Sequence, residues 1–191
     1  MKDARRSFLL EVPQEPMAAG LAFLRHARFL LLEDCSVKIH GALSPLTEQQ
    51  VWSRPNDATN SIGNLALHLA GNARQWLISG VAGAPDKRDR ASEFAARETM
   101  SKAELLGLLD ATLAEVDAVL SKLVGDVETS ASDKPLQREI KPQGYPQTVL
   151  DAIFHVTEHF SYHTGQIVLL AKWQEGAAIR FYNDGELAGR A

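Results

Sequence analysis

The chain has 191 residues, 45% of them hydrophobic and 23% charged, values that suit one domain spanning residues 1–191 with a single buried core. A formal charge of −4 speaks against the basic face of a nucleic-acid binder, and a lone cysteine, Cys35, rules out an intrachain disulfide and a cysteine-rich zinc site. No segment is long and apolar enough to span a bilayer, and the short apolar stretch in "MKDARRSFLLEVPQEP" cannot form a signal-peptide core, so no membrane association and a cytoplasmic location are expected.

Four segments carry helical periodicity. The first runs from about Met17 to His40, weighted by Leu21, Leu24, Phe29 and Leu32 and followed by Gly41 and Pro45. "LTEQQVW" reads as a short helical piece. The second begins near Ser61, with Asn60 or Ser61 as N-cap, and ends before "GVAGAP". The third, Ser101 to Val124, opens on the capping-box spacing of Ser101 and Glu104. Leu105, Leu109, Leu113, Val116, Leu120 and Leu123 form its stripe, and Gly125 is expected to end it. The fourth runs from about Gln147 to Trp173, with Pro146 at its start and Gly176 past its end. Two long connections separate helices two and three, and three and four; "LQREIK" in the second reads as a short strand. The expected fold is all-α, a four-helix bundle with long inter-helix loops, whose ligand sites are built from facing core side chains.

The fourth helix holds "HVTEHFSYHTGQI". On a wheel at about 100° per residue, its apolar residues from Val149 to Ala171 occupy one arc. His163 lies inside that arc and His159 at its edge, whereas His155 lies about 40° further out. His159 and His163 are about 6 Å apart along the axis, close enough to meet one ion, while His155 and His163 are about 12 Å apart. Two ligands are too few, since a catalytic metal usually takes three from the protein. The remaining histidines are His26, His40 and His68, and spacing does not choose among them. Asn64, Asn72 and Gln75 share the stripe of His68, which is either a solvated side or the lining of a polar cavity.

These residues resemble a known superfamily. "HFSYHTGQI" is similar to the last-helix motif of the DinB/YfiT-like superfamily, and "RPNDATNSIGNLALHLAGNARQWL" to its second helix. "NSIGNLALHLAGN" with the following "DKRDRASEF" looks like one DinB-like subfamily of unassigned function. The resemblance implies a DinB-like four-helix bundle, often a homodimer, holding a divalent metal, commonly nickel or zinc, on three histidines. Carried over by position, these are His68, His159 and His163. Where the superfamily usually has an arginine after the last histidine, this chain has Thr164. Some members look like metal-dependent transferases or isomerases that use low-molecular-weight thiols. The expected function is therefore that of a metal-dependent enzyme activating a thiol or water toward a small-molecule substrate. The alternatives are a dimeric, metal-binding stress or storage protein without turnover, and a bundle whose histidines bind nothing.

Other features have plainer readings. "DKRDRASEF" is a solvated charged loop, or a lid whose Arg88 or Arg90 binds an anionic substrate. Glu158 turns about 100° away from His159 and is not expected to act as a base. Cys35 reads as a small packed residue late in the first helix, His26 and His40 as structural or exposed, and His155 as either a support for the ligands or a surface residue, the latter favoured. Phe154, Tyr162 and Leu169 lie off the core arc with Ser161 and Gly165 between, which places the fourth helix at an expected homodimer interface.

Overall fold

The computed structural model describes residues 19–176 and 179–181. The start of the first helix at Met17 and the N-terminal segment read above fall outside those residues. Helix α1, residues 19–43, has three consecutive parts: Ala19–Phe29, a π-helical stretch Leu30–Cys35, and Ser36–Leu43. Helix α2 is Glu48–Trp52. Helix α3, residues 62–81, is α-helical over Ile62–Ala73 and π-helical over Arg74–Val81. Then come α4 (Arg90–Ala95), α5 (Lys102–Ser130) and α6 (Lys134–Gln137). Strands β1 (Glu139–Ile140) and β2 (Gln147–Thr148) precede α7 (Val149–Glu175).

Local chemistry accounts for the starts. Thr47, Ser61, Ser101 and Thr148 each close a capping box, taking the backbone N–H of Gln50, Asn64, Glu104 and Asp151 on the side-chain oxygen. The two strands pair antiparallel, Glu139 opposite Thr148 and Ile140 opposite Gln147, so the expected strand in "LQREIK" is present and sets the entry to α7. Gly176 ends α7 at a positive φ of 51°, as its position past the last periodic residue implies.

Packing assembles the long helices. Helix α1 packs on α5 and α7, and α3 packs on the same two, so each long helix has two long neighbours. The predicted stripe of α5 is buried along its whole length, and so are Val149, Ala152, Ile153, Val156, Phe160, Ile167 and Ala171 of α7. Each large side chain so removed from water contributes about 1.5–3 kcal/mol. Among the described residues no helix is long and apolar enough to cross a membrane.

The structure departs from expectation in several places, among them Gln147, which lies in β2 rather than in the last helix. Helix α5 runs through Gly125 to Ser130 and ends where Ala131 adopts a left-handed φ of 46°. A glycine inside a helix costs only about 1 kcal/mol, and the burial of Val127 beyond it offsets that. Helix α1 continues past His40 to Leu43 for the same reason, since Ala42 and Leu43 are fully buried. Finally, the connection between α3 and α5 contains the short helix α4, which is tied down onto α3.

Candidate metal centre

His68 projects from the middle of α3 and is only 4% exposed. His159 and His163 project from α7 and are half-buried. The two helices pack side by side, which brings the three rings together. Ring centroids are 4.9 Å apart for His68 and His159, 5.2 Å for His68 and His163, and 4.5 Å for His159 and His163. One ring nitrogen from each can be chosen so that all three lie within 4.8 Å of one another, a group able to hold a metal ion. The expected trio is thus the trio that the fold brings together. His40 instead meets Asp110 at 2.7 Å, and His26 stacks near Phe29, so neither joins the cluster.

Hydrogen bonds aim the rings. His163 Nδ1 lies 2.6 Å from Gln166 Oε1, and His68 Nδ1 lies 2.8 Å from Glu93 Oε2. Both acceptors require a protonated Nδ1, which leaves a lone pair on each Nε2. Arg88 Nη2 also lies 3.0 Å from His68 Nδ1, but it already donates to Glu93 Oε2 at 2.9 Å. Two donors therefore converge on one carboxylate oxygen, and the His68 tautomer is the same. His68 Nε2 and His159 Nε2 stand 2.8 Å apart.

The donor set suits a divalent cation. Two nitrogens on a tetrahedral ion at about 2.1 Å are about 3.4 Å apart, a value that lies between the 2.8 Å pair and the 4.8 Å limit of the group. Burial, then the neighbouring His163, His68, His155 and Arg88, push the His159 imidazole down to about 3. Burial also lowers His163, although the Gln166 hydrogen bond opposes it. Both rings are therefore neutral at physiological pH, the form that ligates.

The role of Glu93 was missed in the sequence, and Arg88, read there as a contact for an anionic substrate, serves Glu93 instead. Their side chains are 9% and 4% exposed, and Arg88 grips the carboxylate as a fork, Nε to Oε1 at 2.7 Å and Nη2 to Oε2 at 2.9 Å. Burial alone would raise the Glu93 carboxyl, but the hydrogen bonds of His68 and Arg88 and the charge of Arg88 overcome that and hold it below the ordinary range. "DKRDRASEF" is therefore no simple solvated loop: its Arg88 is spent inside the protein, while Arg90 stays exposed over the Phe94 ring. Phe94 in turn lies 4.7 Å from the His68 ring.

The polar stripe of α3 proves to be the seat of this loop. Asn64 donates to the carbonyls of Glu93 and Ala96 at 2.8 and 3.0 Å, and Gln75 accepts from Arg88 Nη1 at 3.0 Å. Asn72 contacts His155 at 3.0 Å. His155 is a correction: it is half-buried against Trp76, with ring centroids 4.2 Å apart, and stacks on His159 at 5.2 Å. It supports the cluster rather than facing solvent, packed on Trp76 in the π-helical part of α3. Glu158 is exposed and away from the cluster, as the wheel implied. One available signal went unused: the glycine in "LAGN". A Cβ on Gly71 would stand 2.0 Å from Glu93 Oε1, so an isolated glycine in a helix marked the approach of another chain segment.

A family profile described as "Protein of unknown function (DUF1572)" matches residues 19–181. The chain belongs to this family. No curated protein matches the chain. Among solved structures, a DinB-like protein, YjoA of Bacillus subtilis, superposes with a TM-score of 0.54 at 19% identity, covering 87% of this chain and 98% of that one. At that identity the likeness establishes the fold: this DUF1572 member has the DinB-like all-α architecture that its helix motifs resemble.

Proposed function

We propose that this DUF1572 protein binds one divalent cation, nickel or zinc, through His68, His159 and His163, and uses it as an enzyme acting on a small substrate by thiol or water activation, with low-molecular-weight-thiol transfer as the first reaction to try. The observation that carries the reading is the convergence of three imidazoles whose far sides are anchored: Glu93 behind His68 and Gln166 behind His163. A histidine cluster serving only as packing has no need of a buried carboxylate fixing one tautomer. A bound divalent cation supplies Lewis acidity, lowering the pKa of a thiol or water toward neutrality. The protein's part is positional. Glu93 and Arg88 hold the His68 ring, and His155 and Trp76 hold His159 from behind. Phe94 walls off one side.

The partial exposure of His159 and His163 supports catalysis over closed storage. We also assign the outer face of α7 to a homodimer: Phe154, Tyr162 and Leu169 are 60–67% exposed there, an apolar surface that a monomer would leave in water. The test of the metal site is elemental analysis of the purified protein, then calorimetric titration with zinc and nickel, with His163→Ala as control. One ion per chain, lost in the variant, is the expected result. No uptake of either metal by the intact protein refutes the reading. A thiol-transfer screen of the loaded protein then tests turnover.

A further inference from the structure

Arg54 follows α2 and is half-buried. Its Nη2 donates to Asn64 Oδ1 and to the Phe94 carbonyl, both at 2.7 Å, and its Nε is buried without a hydrogen-bond partner. Arg97 Nη1 donates to the same Phe94 carbonyl at 3.0 Å. One oxygen therefore draws two guanidinium groups together. Burial and the charge of Arg97 press against the charge of Arg54, and Asp57 relieves it only from a distance. Arg25, Arg28, Arg74 and Arg88 each have a carboxylate partner, whereas neither Arg54 nor Arg97 meets one among the described residues. The nearby buried carboxylate, Glu93, is already taken by Arg88 and His68.

Arg54 also lines a cavity of about 230 Å³ with Ser53, Pro55, Leu170, Trp173 and Gln174. The wall is mostly apolar, and Trp173 stands at its rim 73% exposed. Ser53 Oγ and Gln174 Oε1 lie 3.2 Å apart and add a polar edge. The cavity wall is linked to the histidine cluster by two chains of neighbours. Leu170 lies one helical turn beyond Gln166, which holds His163. Phe94, whose carbonyl holds both arginines, has its ring 4.7 Å from His68.

A fixed, partly dehydrated guanidinium without its anion is a ready receptor for an oxyanion, and an apolar wall beside it selects for a body attached to that anion. We propose that this pocket binds a small organic carboxylate, its charge on Arg54 with Arg97 behind it and its apolar body against Pro55, Leu170 and Trp173. The proposal rests on the metal reading for what the ligand is there to meet, but not for the binding itself.

The experiment is calorimetric titration of the full-length protein with benzoate, with benzyl alcohol as the uncharged counterpart and inorganic phosphate as the anion without a body. Titrations are run with and without zinc, and on Arg54→Lys, Trp173→Ala and His163→Ala. Saturable benzoate binding is expected, weakened about tenfold or more by Arg54→Lys and by Trp173→Ala and retained in His163→Ala. Trp173 is exposed, so its replacement tests the pocket without endangering the fold. Failure of benzoate to saturate the intact protein overturns the proposal. So does equal affinity for benzyl alcohol or phosphate, or undiminished binding in both pocket variants. Benzoate binding without any zinc uptake would refute the metal reading and leave this one standing; the converse result would do the opposite.

Discussion

Gly71→Ala is the sharpest probe of the loop that stands behind His68. In most helix interiors this substitution stabilises by about 1 kcal/mol, because glycine is the poorer helix former. At position 71 the new Cβ would stand 2.0 Å from Glu93 Oε1, 2.9 Å from its Cδ and 3.2 Å from Arg88 Nε. Ordinary contact needs about 3.5 Å, so the carboxylate must retreat by more than an ångström. That movement stretches both the 2.7 Å bond from Arg88 Nε and the 2.8 Å contact with His68 Nδ1 beyond hydrogen-bonding range. Glu93 and Arg88 are too buried for water to replace what is lost. Breaking such a buried pair costs about 3–5 kcal/mol, so the net expectation is a destabilisation of about 2–4 kcal/mol, with metal affinity reduced about 10- to 100-fold as His68 loses its support. Gly107→Ala, where nothing lies within 4 Å of the added carbon, is the control and should stabilise by about 1 kcal/mol. Urea unfolding and zinc titration of both variants check this. If Gly71→Ala is stabilised as much as the control and binds zinc unchanged, the account of Glu93 as a fixed support for His68 is wrong.

Three further outcomes follow from the same structure. The folded-state value of His159, about 3, lies below the ordinary 6.5, so between these values the unfolded chain binds the extra proton. Metal-free protein should therefore lose stability as pH falls below about 6.5, and His159→Gln should flatten the dependence of the urea midpoint between about pH 6.5 and 5, above the carboxylate range; an unchanged slope contradicts the shift. Ser61→Ala removes the acceptor for the Asn64 N–H at the start of α3 and should cost about 1 kcal/mol in urea unfolding. If α7 forms the proposed homodimer, Phe154→Glu places a charge on that exposed apolar face and should give monomer in sedimentation at micromolar concentration where the unaltered protein gives dimer, leaving zinc binding intact.

How far the sequence carried the reading varies by element. The stripes of α5 and α7 were legible because a helix buries one face and repeats it every 3.6 residues. The starts of α3 and α5 were legible because caps are local: Ser61 and Ser101 must satisfy N–H groups a few residues away. The pair His159 and His163 could be read from spacing on one helix, and His68 came from the resemblance of its motif. What stayed hidden depends on parts of the chain far apart in sequence. Gly125 looked like an end, but Val127 beyond it is buried by neighbours that no local pattern reveals.

The amino-acid order alone determined which faces are apolar, where the helices begin and which imidazoles sit one turn apart, since those follow from backbone geometry within a few residues. Only the tertiary structure decided that the charged loop folds onto α3, that Arg88 and Glu93 disappear beneath His68, that His155 lies against Trp76, and that Arg54 and Arg97 share one carbonyl. The reason is physical. A charge on a loop is as content in water as in a well-made ion pair, so nothing in its local sequence distinguishes the two, and the choice falls to whatever surface the rest of the fold presents to it.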